Sequence, residues 1–372
     1  MTKSDSAGPA SPVRHDGWVI DRALTLRIAN AVARTNVSGR GAADVAPLEP
    51  LPGDLAAICA DAEARVVQYT GLRPAAPLPA PEAVDRPDWI AANISSMSAM
   101  LDPVVGKLSG GGLLGGATRA AAGMVMSVEA GALTGYLSQR VLGQYEFALV
   151  DPDAVARLLF LEPNIALAAR RLDADPEQLL TWIAFHEVAH AVQFAGVPWL
   201  RPYLAGLLRE LLDSLDVKVD PRALLKLPSL DDAKGLLEAV RKDGLVGALG
   251  SGARRELLDK VQGVMGVIEG HAEHVMDVVG AEALPALDEL RTALNRRRQE
   301  RSPLLAIIER LIGLESKLRQ YEDGKRFCDA VATSAGAAGL HRVFDGPQQL
   351  PTVAELQDPE AWMRRTGVPA AA

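Results

Sequence analysis

The 372-residue sequence has little cysteine and no excess of positive charge. Its two cysteines, Cys59 and Cys328, are far apart and match neither a disulfide framework nor a zinc-finger spacing, so we expect free thiols in a reducing compartment. The formal net charge of -8 provides no global positive field that could hold a nucleic-acid backbone or an anionic membrane surface. Nucleic acid is therefore not expected as a partner.

The sequence also lacks an apolar run long enough to cross a bilayer. Residues 1–17 are small and polar and contain no apolar core of the kind that a secretory signal needs, which predicts a disordered N-terminus and a cytoplasmic protein. The apolar residues 110–143 are interrupted by Arg119 and Glu129, and the pieces between them are too short for a membrane span. We expect no membrane association and attribute the Gly and Ala content to close helix packing.

Helical periodicity is the main positive signal in the sequence. With 48% hydrophobic residues, a chain of this length can bury a substantial core. The helical pattern begins near Trp18, resumes at Trp89 after Pro-rich connectors, and is almost continuous from Asp175 to Ala338. We therefore predict a disordered N-terminus, an N-terminal helical region with a Pro-rich linker, a main domain and a C-terminal tail, at residues 1–17, 18–87, 88–366 and 367–372.

Two short segments are predicted to form strands. Residues 157–165 (RLLFLEPNI) are apolar and closed by Pro163, and residues 145–150 are expected to pair with them. The fold class that follows is α+β, mainly helical with a small sheet. We expect the strand at residues 157–162 to lie at an edge of this sheet, where an extended peptide could add to it.

The pattern with the most specific chemistry is HEVAH, which contains His186, Glu187 and His190. It lies in an apolar helical segment with Pro176 in its first turn and Pro198 beyond its end. Side chains at i and i+4 project from one helix face about 5 to 6 Å apart, so both imidazoles can bind one Zn²⁺. Glu187 can then take a proton from a zinc-bound water. We expect one zinc per chain; the alternative is a pair of ordinary core or solvated histidines.

A catalytic zinc needs a third protein ligand and one open position. The segment IEGHAEHVMD offers candidates: Glu269, Glu273 and Asp277 form one helical stripe, while His271 and His274 point toward the other side. This pattern predicts Glu269 as the third ligand and Glu273 as an acceptor that orients a ligand histidine. A solvated acidic face and His274 as the ligand are the alternatives.

Hydrolysis of a peptide also needs a hydrogen-bond donor that faces the oxyanion. Tyr321, in QYEDGKRF, is the first candidate and His271 the second, although a tyrosine on an amphipathic helix more often packs in the core with a solvated hydroxyl. The Gly-rich segment GGGLLGG at residues 110–116 lacks the features of a P-loop or a dinucleotide fingerprint. We therefore expect no organic cofactor.

The motif pair HEVAH and EGHAE resembles the gluzincins, in which HExxH is followed by a helix that carries a ligand Glu and, four residues later, an acidic residue. More narrowly, segments such as WIAFHEVAHAVQF, VPWLR and GLESKLRQYEDGKRF are similar to bacterial zincin-like, zinc-dependent metalloproteases over roughly residues 18–366. A subgroup of that family is named for its association with deazaflavin coenzyme biosynthesis. The resemblance implies a zincin-like domain at residues 88–366, with its small sheet beside the HExxH helix.

The resemblance also implies zinc on His186, His190 and Glu269, with Glu187 as the base, but it supplies no substrate. The first functional hypothesis is a zinc metallohydrolase, specifically a peptidase acting on a peptide or protein substrate. A zinc-stabilised binding or regulatory protein without turnover, and an amidohydrolase acting on a small metabolite, are the alternatives. The sequence gives no indication of oligomeric state.

Overall fold

The computed structural model describes residues 21–35, 50–107, 115–146, 155–214, 252–299 and 314–369. The N-terminal segment 1–17, predicted to be disordered, lies outside these residues, as do most of the Gly-rich segment 110–116 and residues 147–150 of the second predicted strand.

The described part of the chain is mainly helical with one small sheet, as predicted. Its helices are α1 (Arg22–Arg34), α2 (Leu55–Thr70), α3 (Arg86–Lys107), α4 (Gly115–Leu137), α5 (Glu162–Leu172), α6 (Pro176–Gly196), α7 (Leu200–Asp213), α8 (Gly252–Ala283), α9 (Leu287–Gln299), α10 (Leu314–His341), α11 (Val353–Gln357) and α12 (Pro359–Thr366). Its strands are β1 (Pro81–Val84), β2 (Gly143–Glu146) and β3 (Arg157–Leu161).

The sheet has the strand order β1-β3-β2. β2 is antiparallel to β3, which confirms the predicted pairing, and β1 is parallel to β3. The edge position predicted for the strand at residues 157–162 is therefore wrong, because β3 is the central strand. Its second neighbour comes from the segment predicted to be a Pro-rich linker, where Pro81 takes the first position of a strand, one of the few that proline tolerates.

The predicted end of this strand is also wrong. β3 ends at Leu161, and Pro163 lies in the first turn of α5 instead of closing the strand. Proline suits the start of a helix because its fixed φ matches the helix. The backbone N–H that proline lacks would have no intrahelical partner there.

The sheet separates two clusters of buried side chains. Successive side chains of a strand point to opposite faces, so Leu158 and Phe160 of β3 pack in the main core with α6, whereas Leu159 and Leu161 pack in a smaller core against Ile90 of α3. These four side chains of β3 are at most 1% exposed. The sheet therefore presents one buried face directly to the HExxH helix.

The ends of α6 lie where Pro176 and Pro198 predicted them, and Asp175 caps the first turn. The Asp175 carboxylate accepts hydrogen bonds from the backbone N–H groups of Glu177 and Gln178, Pro176 occupies the first turn, and the helix ends at Gly196 before Pro198. Eleven α6 side chains are buried, including that of Glu187. The HExxH motif consequently lies in a helix that is fixed at its N-terminus and enclosed on several sides.

Glycines allow close contacts between helices at several positions. A Cβ on Gly131 of α4 would lie 2.7 Å from the backbone oxygen of Thr25 in α1, which supports the predicted close packing by small residues. At the crossing of α8 and α10, a Cβ on Gly324 would overlap the carbonyl oxygen of Gly266, and one on Gly270 would overlap the backbone of Gly324. Among the described residues, no helix is both long and apolar enough to cross a membrane.

We predict that Gly324→Ala lowers the free energy of unfolding by about 1 to 3 kcal/mol, because the added methyl meets backbone atoms that move only if α8 and α10 separate. Gly206→Ala in α7 is the matched control, since its Cβ would meet nothing within 4 Å. The free energy of unfolding of that control should rise by about 0.5 to 1 kcal/mol, because alanine is a better helix former than glycine. Denaturant unfolding of both variants measures the difference, and equal stabilities would show that the crossing can widen without cost.

Candidate metal centre

One turn of α6 brings two imidazoles together. The Nε2 atoms of His186 and His190 are 3.2 Å apart, and the rings meet edge to face at 4.7 Å between centroids. Two nitrogens bound at about 2.05 Å to a tetrahedral zinc ion would be about 3.3 Å apart. The spacing of these nitrogens is therefore that of two ligands on one metal ion.

α8 brings a carboxylate to the same point. Glu269 Oε2 lies 3.6 Å from Nε2 of His190 and 3.9 Å from Nε2 of His186. The three ligand atoms all lie within 4.8 Å of one another, so His186, His190 and Glu269 could hold a metal ion. Two imidazoles and one carboxylate are a zinc ligand set, and the side chains are still 12 to 23% exposed, which leaves a route for water or substrate.

The alternative ligand, His274, is engaged elsewhere. Its Nε2 lies 2.7 Å from the Tyr69 hydroxyl of α2, and its Nδ1 lies 2.7 Å from Oδ1 of Asp329 in α10. The ring is buried between three helices. His274 therefore ties α2, α8 and α10 together, and both of its nitrogens are used in doing so.

The side chain of Glu187, on α6, is held against strand β2. Its Oε2 accepts a hydrogen bond of 2.8 Å from the backbone N–H of Tyr145. β2 can approach this closely because residue 143 is glycine: a Cβ on Gly143 would lie 2.6 Å from Cγ of Glu187 and 2.9 Å from Cγ2 of Ile183. The sequence did not indicate Gly143 or Tyr145 as site residues, and the available signal was that the predicted strand at residues 145–150 begins at Tyr145, two residues after Gly143.

The buried charges of the site shift its acid–base equilibria. Burial raises the pKa of Glu187 to about 7, although the neighbouring His190 and the N–H of Tyr145 act in the opposite direction. Burial would lower the pKa of His190, but the Glu269 carboxylate outweighs burial and raises this pKa to about 9. Such a ring carries a proton at neutral pH, and a cation bound at Nε2 would replace that proton. A carboxylate with a pKa near 7 suits a general base.

Three further predicted site residues lie on α8 and α10. Glu273 is half-buried on α8, one turn beyond Glu269. Tyr321 lies in α10, but its side chain is outside the described part of the structure. His271, the second candidate for the oxyanion donor, is buried behind the site, where its Nδ1 lies 2.8 Å from Nε2 of Gln193.

Gln193 is the third site residue that the sequence did not indicate. Its Oε1 lies 3.1 Å from Nδ1 of His190, the ring nitrogen that points away from the candidate ligand position. The available signal was its spacing, three residues after His190 on the same helix face. Burial, together with the nearby His274 and His341, lowers the pKa of His271 to about 3, so that the ring behind Gln193 is neutral.

The fold of this chain is similar to that of a protein with a solved structure. No similar sequence was found among curated proteins. A crystal structure from Chloroflexus aurantiacus, described as that of a provisionally assigned hydrolase with a novel fold, is similar with a TM-score of 0.64 and 28% sequence identity. The similarity covers 94% of this chain and 99% of that chain.

A family match covers most of the chain, including α6 and α8 with all three candidate ligands. Residues 21–363 match the family described as Zincin-like metallopeptidase. The convergence of His186, His190 and Glu269 beside the buried Glu187 is compatible with the metal-dependent hydrolysis that this description names. This chain therefore belongs to the zincin-like metallopeptidase family.

Proposed function

We propose that the protein is a zinc-dependent peptidase in which His186, His190 and Glu269 bind one zinc ion and Glu187 is the general base. The observation that carries the proposal is the convergence of three ligand atoms, all within 4.8 Å of one another, beside the α6 turn that also holds a buried carboxylate. A purely structural site commonly uses a fourth protein ligand in place of an open position, whereas three ligands come together here among the residues that the structure describes.

Bound zinc would supply Lewis acidity toward a scissile carbonyl and toward water. Glu187 takes the proton of the attacking water and later gives it to the leaving amine, for which a pKa near neutrality is suitable. The hydrogen bond from the Tyr145 N–H keeps the carboxylate oriented during both transfers.

We retain Tyr321 as the proposed oxyanion donor. Because Gln193 occupies Nδ1 of His190, we assign Glu273 to His186 as its orienting acceptor.

The position of β2 supports a peptide as the substrate. β2 is an edge strand of the described sheet, and the N–H of Tyr145 points away from β3 toward Glu187. The outer edge of β2 therefore faces the candidate metal centre, where an extended substrate could align by strand addition. This replaces the hypothesis that the strand at residues 157–162 receives the peptide, since that strand has neighbours on both sides.

We predict that the purified protein binds about one zinc ion per chain, because two imidazoles and one carboxylate complete a three-ligand open site. His186→Ala should lose this zinc, since one of the two helix-borne nitrogens is removed. Metal analysis after reconstitution at neutral pH measures both stoichiometries. Zinc-free wild-type protein, or an unchanged zinc content in His186→Ala, would contradict the metal site.

We predict that Glu187→Gln retains zinc but hydrolyses peptides about 100- to 10,000-fold more slowly, since the amide has the same shape but cannot accept the proton of water. Zinc content and cleavage of a peptide library should be measured on one sample, with wild type as the control. Loss of zinc would make Glu187 a ligand, and retained turnover would require a different base. Wild-type protein that binds zinc but cleaves no peptide would favour the amidohydrolase or the non-catalytic alternative.

We predict that Glu269→Gln weakens zinc binding by more than the roughly 10- to 100-fold that is typical of residues behind the ligands. His274→Ala is the control on the same helix: it should leave zinc affinity unchanged but lower stability by about 1 to 3 kcal/mol, because Tyr69 and Asp329 lose a buried partner. Competition with a chelator and thermal unfolding measure the two effects. Abolished binding in His274→Ala with intact binding in Glu269→Gln would indicate a three-histidine site.

A further inference from the structure

We propose that Gln193 is a positioning residue of the metal centre, which fixes the ring of His190 and holds α6 and α8 at the spacing that their ligands need. The inference rests on the proposed metal site. Gln193 lies three residues after His190, and its side chain is fully buried between the two helices. A buried amide without partners would be costly, so its contacts determine what it can do.

The direction of the amide group follows from its partners. Nε2 of Gln193 lies 3.0 Å from the backbone oxygen of Ile268, which can only accept a hydrogen bond. The NH₂ group must therefore face Ile268, and Oε1 must face Nδ1 of His190 at 3.1 Å. The second N–H of the amide points to Nδ1 of His271 at 2.8 Å. Each hydrogen-bonding group of this side chain thus has a partner, and the amide cannot flip without losing them.

This direction determines how His190 can bind a metal ion. Because the amide oxygen only accepts, Nδ1 of His190 must carry the proton, which leaves the lone pair of Nε2 for a metal. Nε2 is the atom that lies 3.2 Å from its counterpart on His186. Gln193 therefore selects the ring nitrogen that faces the candidate ligand position and resists rotation of the imidazole away from it.

The same side chain also positions the third ligand. Ile268 immediately precedes Glu269, so the hydrogen bond from Gln193 to the Ile268 oxygen holds the backbone of α8 next to the ligand carboxylate. One amide thereby connects the histidine of one helix to the glutamate of the other. A carboxylate, which often holds ligand histidines, would face the Ile268 oxygen and the unprotonated Nδ1 of His271 without a proton to donate. This explains why an amide occupies the position.

The test compares Gln193→Met, which removes all three hydrogen bonds at similar length, with Gln193→Glu, which keeps an acceptor for His190 but loses both donors. Gln178→Met is the matched control, because Gln178 also lies on α6 and its Oε1 accepts one hydrogen bond from outside the helix, from the backbone N–H of Ala286 in the turn before α9. Zinc dissociation constants are measured by chelator competition, the Nδ1–H proton of His190 by NMR of the zinc-loaded protein, and folding by circular dichroism of the zinc-free protein.

We expect Gln193→Met to weaken zinc binding about 10- to 100-fold and to expose the Nδ1–H proton to exchange, while Gln178→Met changes neither. Gln193→Glu should keep the protected proton yet lose affinity, and it provides the test if the methionine variant does not fold. Wild-type zinc affinity in both Gln193 variants would overturn this inference alone, as would an equal loss in Gln178→Met. Absence of zinc binding by the wild type would overturn the proposed metal site together with this inference.

Discussion

The site depends on the convergence of ligand atoms from two helices that are distant in sequence. His186 and His190 lie on one turn of α6, so their spacing follows from helix geometry. Glu269 comes from α8, and its oxygen must reach the same point to within a few tenths of an ångström. Close approach of α6 and α8 is therefore the constraint that the surrounding structure has to satisfy.

Small residues and buried hydrogen bonds hold the neighbouring elements close to α6 and α8. Gly270 and Gly324 let the backbones of α8 and α10 touch, which fixes the helix that carries Glu269. Gly143 does the same for β2, whose Tyr145 N–H then reaches Glu187. Glycine lacks the Cβ that would hold these elements apart, and the short distances in turn allow the polar groups of neighbouring elements to pair.

The ionisable side chains of the candidate metal centre lie close together and are largely removed from water. Glu187 is 7% exposed, and the carboxylate of Glu269 faces both histidines at under 4 Å. Charges that are removed from water need partners, and two imidazole nitrogens directed at one point can bind a cation in place of a proton. In contrast, His274, only five residues from Glu269, forms a closed set of contacts with Tyr69 and Asp329. The two residues project about 140° apart around the helix, which explains their different environments.

The sequence by itself determined the mainly helical fold class, the pairing of β2 with β3, the ends of α6 and the placement of His186, Glu187 and His190 on one helix. These features depend on short-range patterns: strand composition, the helical period and the prolines at the two ends of the helix. The stripe of Glu269 and Glu273 also indicated which face of α8 carries the third candidate ligand, because side-chain direction is periodic.

Only the tertiary structure decided the central position of β3 and the roles of Gly143, Tyr145 and Gln193. β1 is a four-residue strand that begins with proline, so its pairing with β3 has no local signature. The contact of Gly143 with Glu187 joins positions more than forty residues apart, and Gln193 acts on Ile268 across a gap of 75 residues. Such contacts arise when distant elements pack against a shared core, and the identity of a single residue does not reveal which partner it will meet.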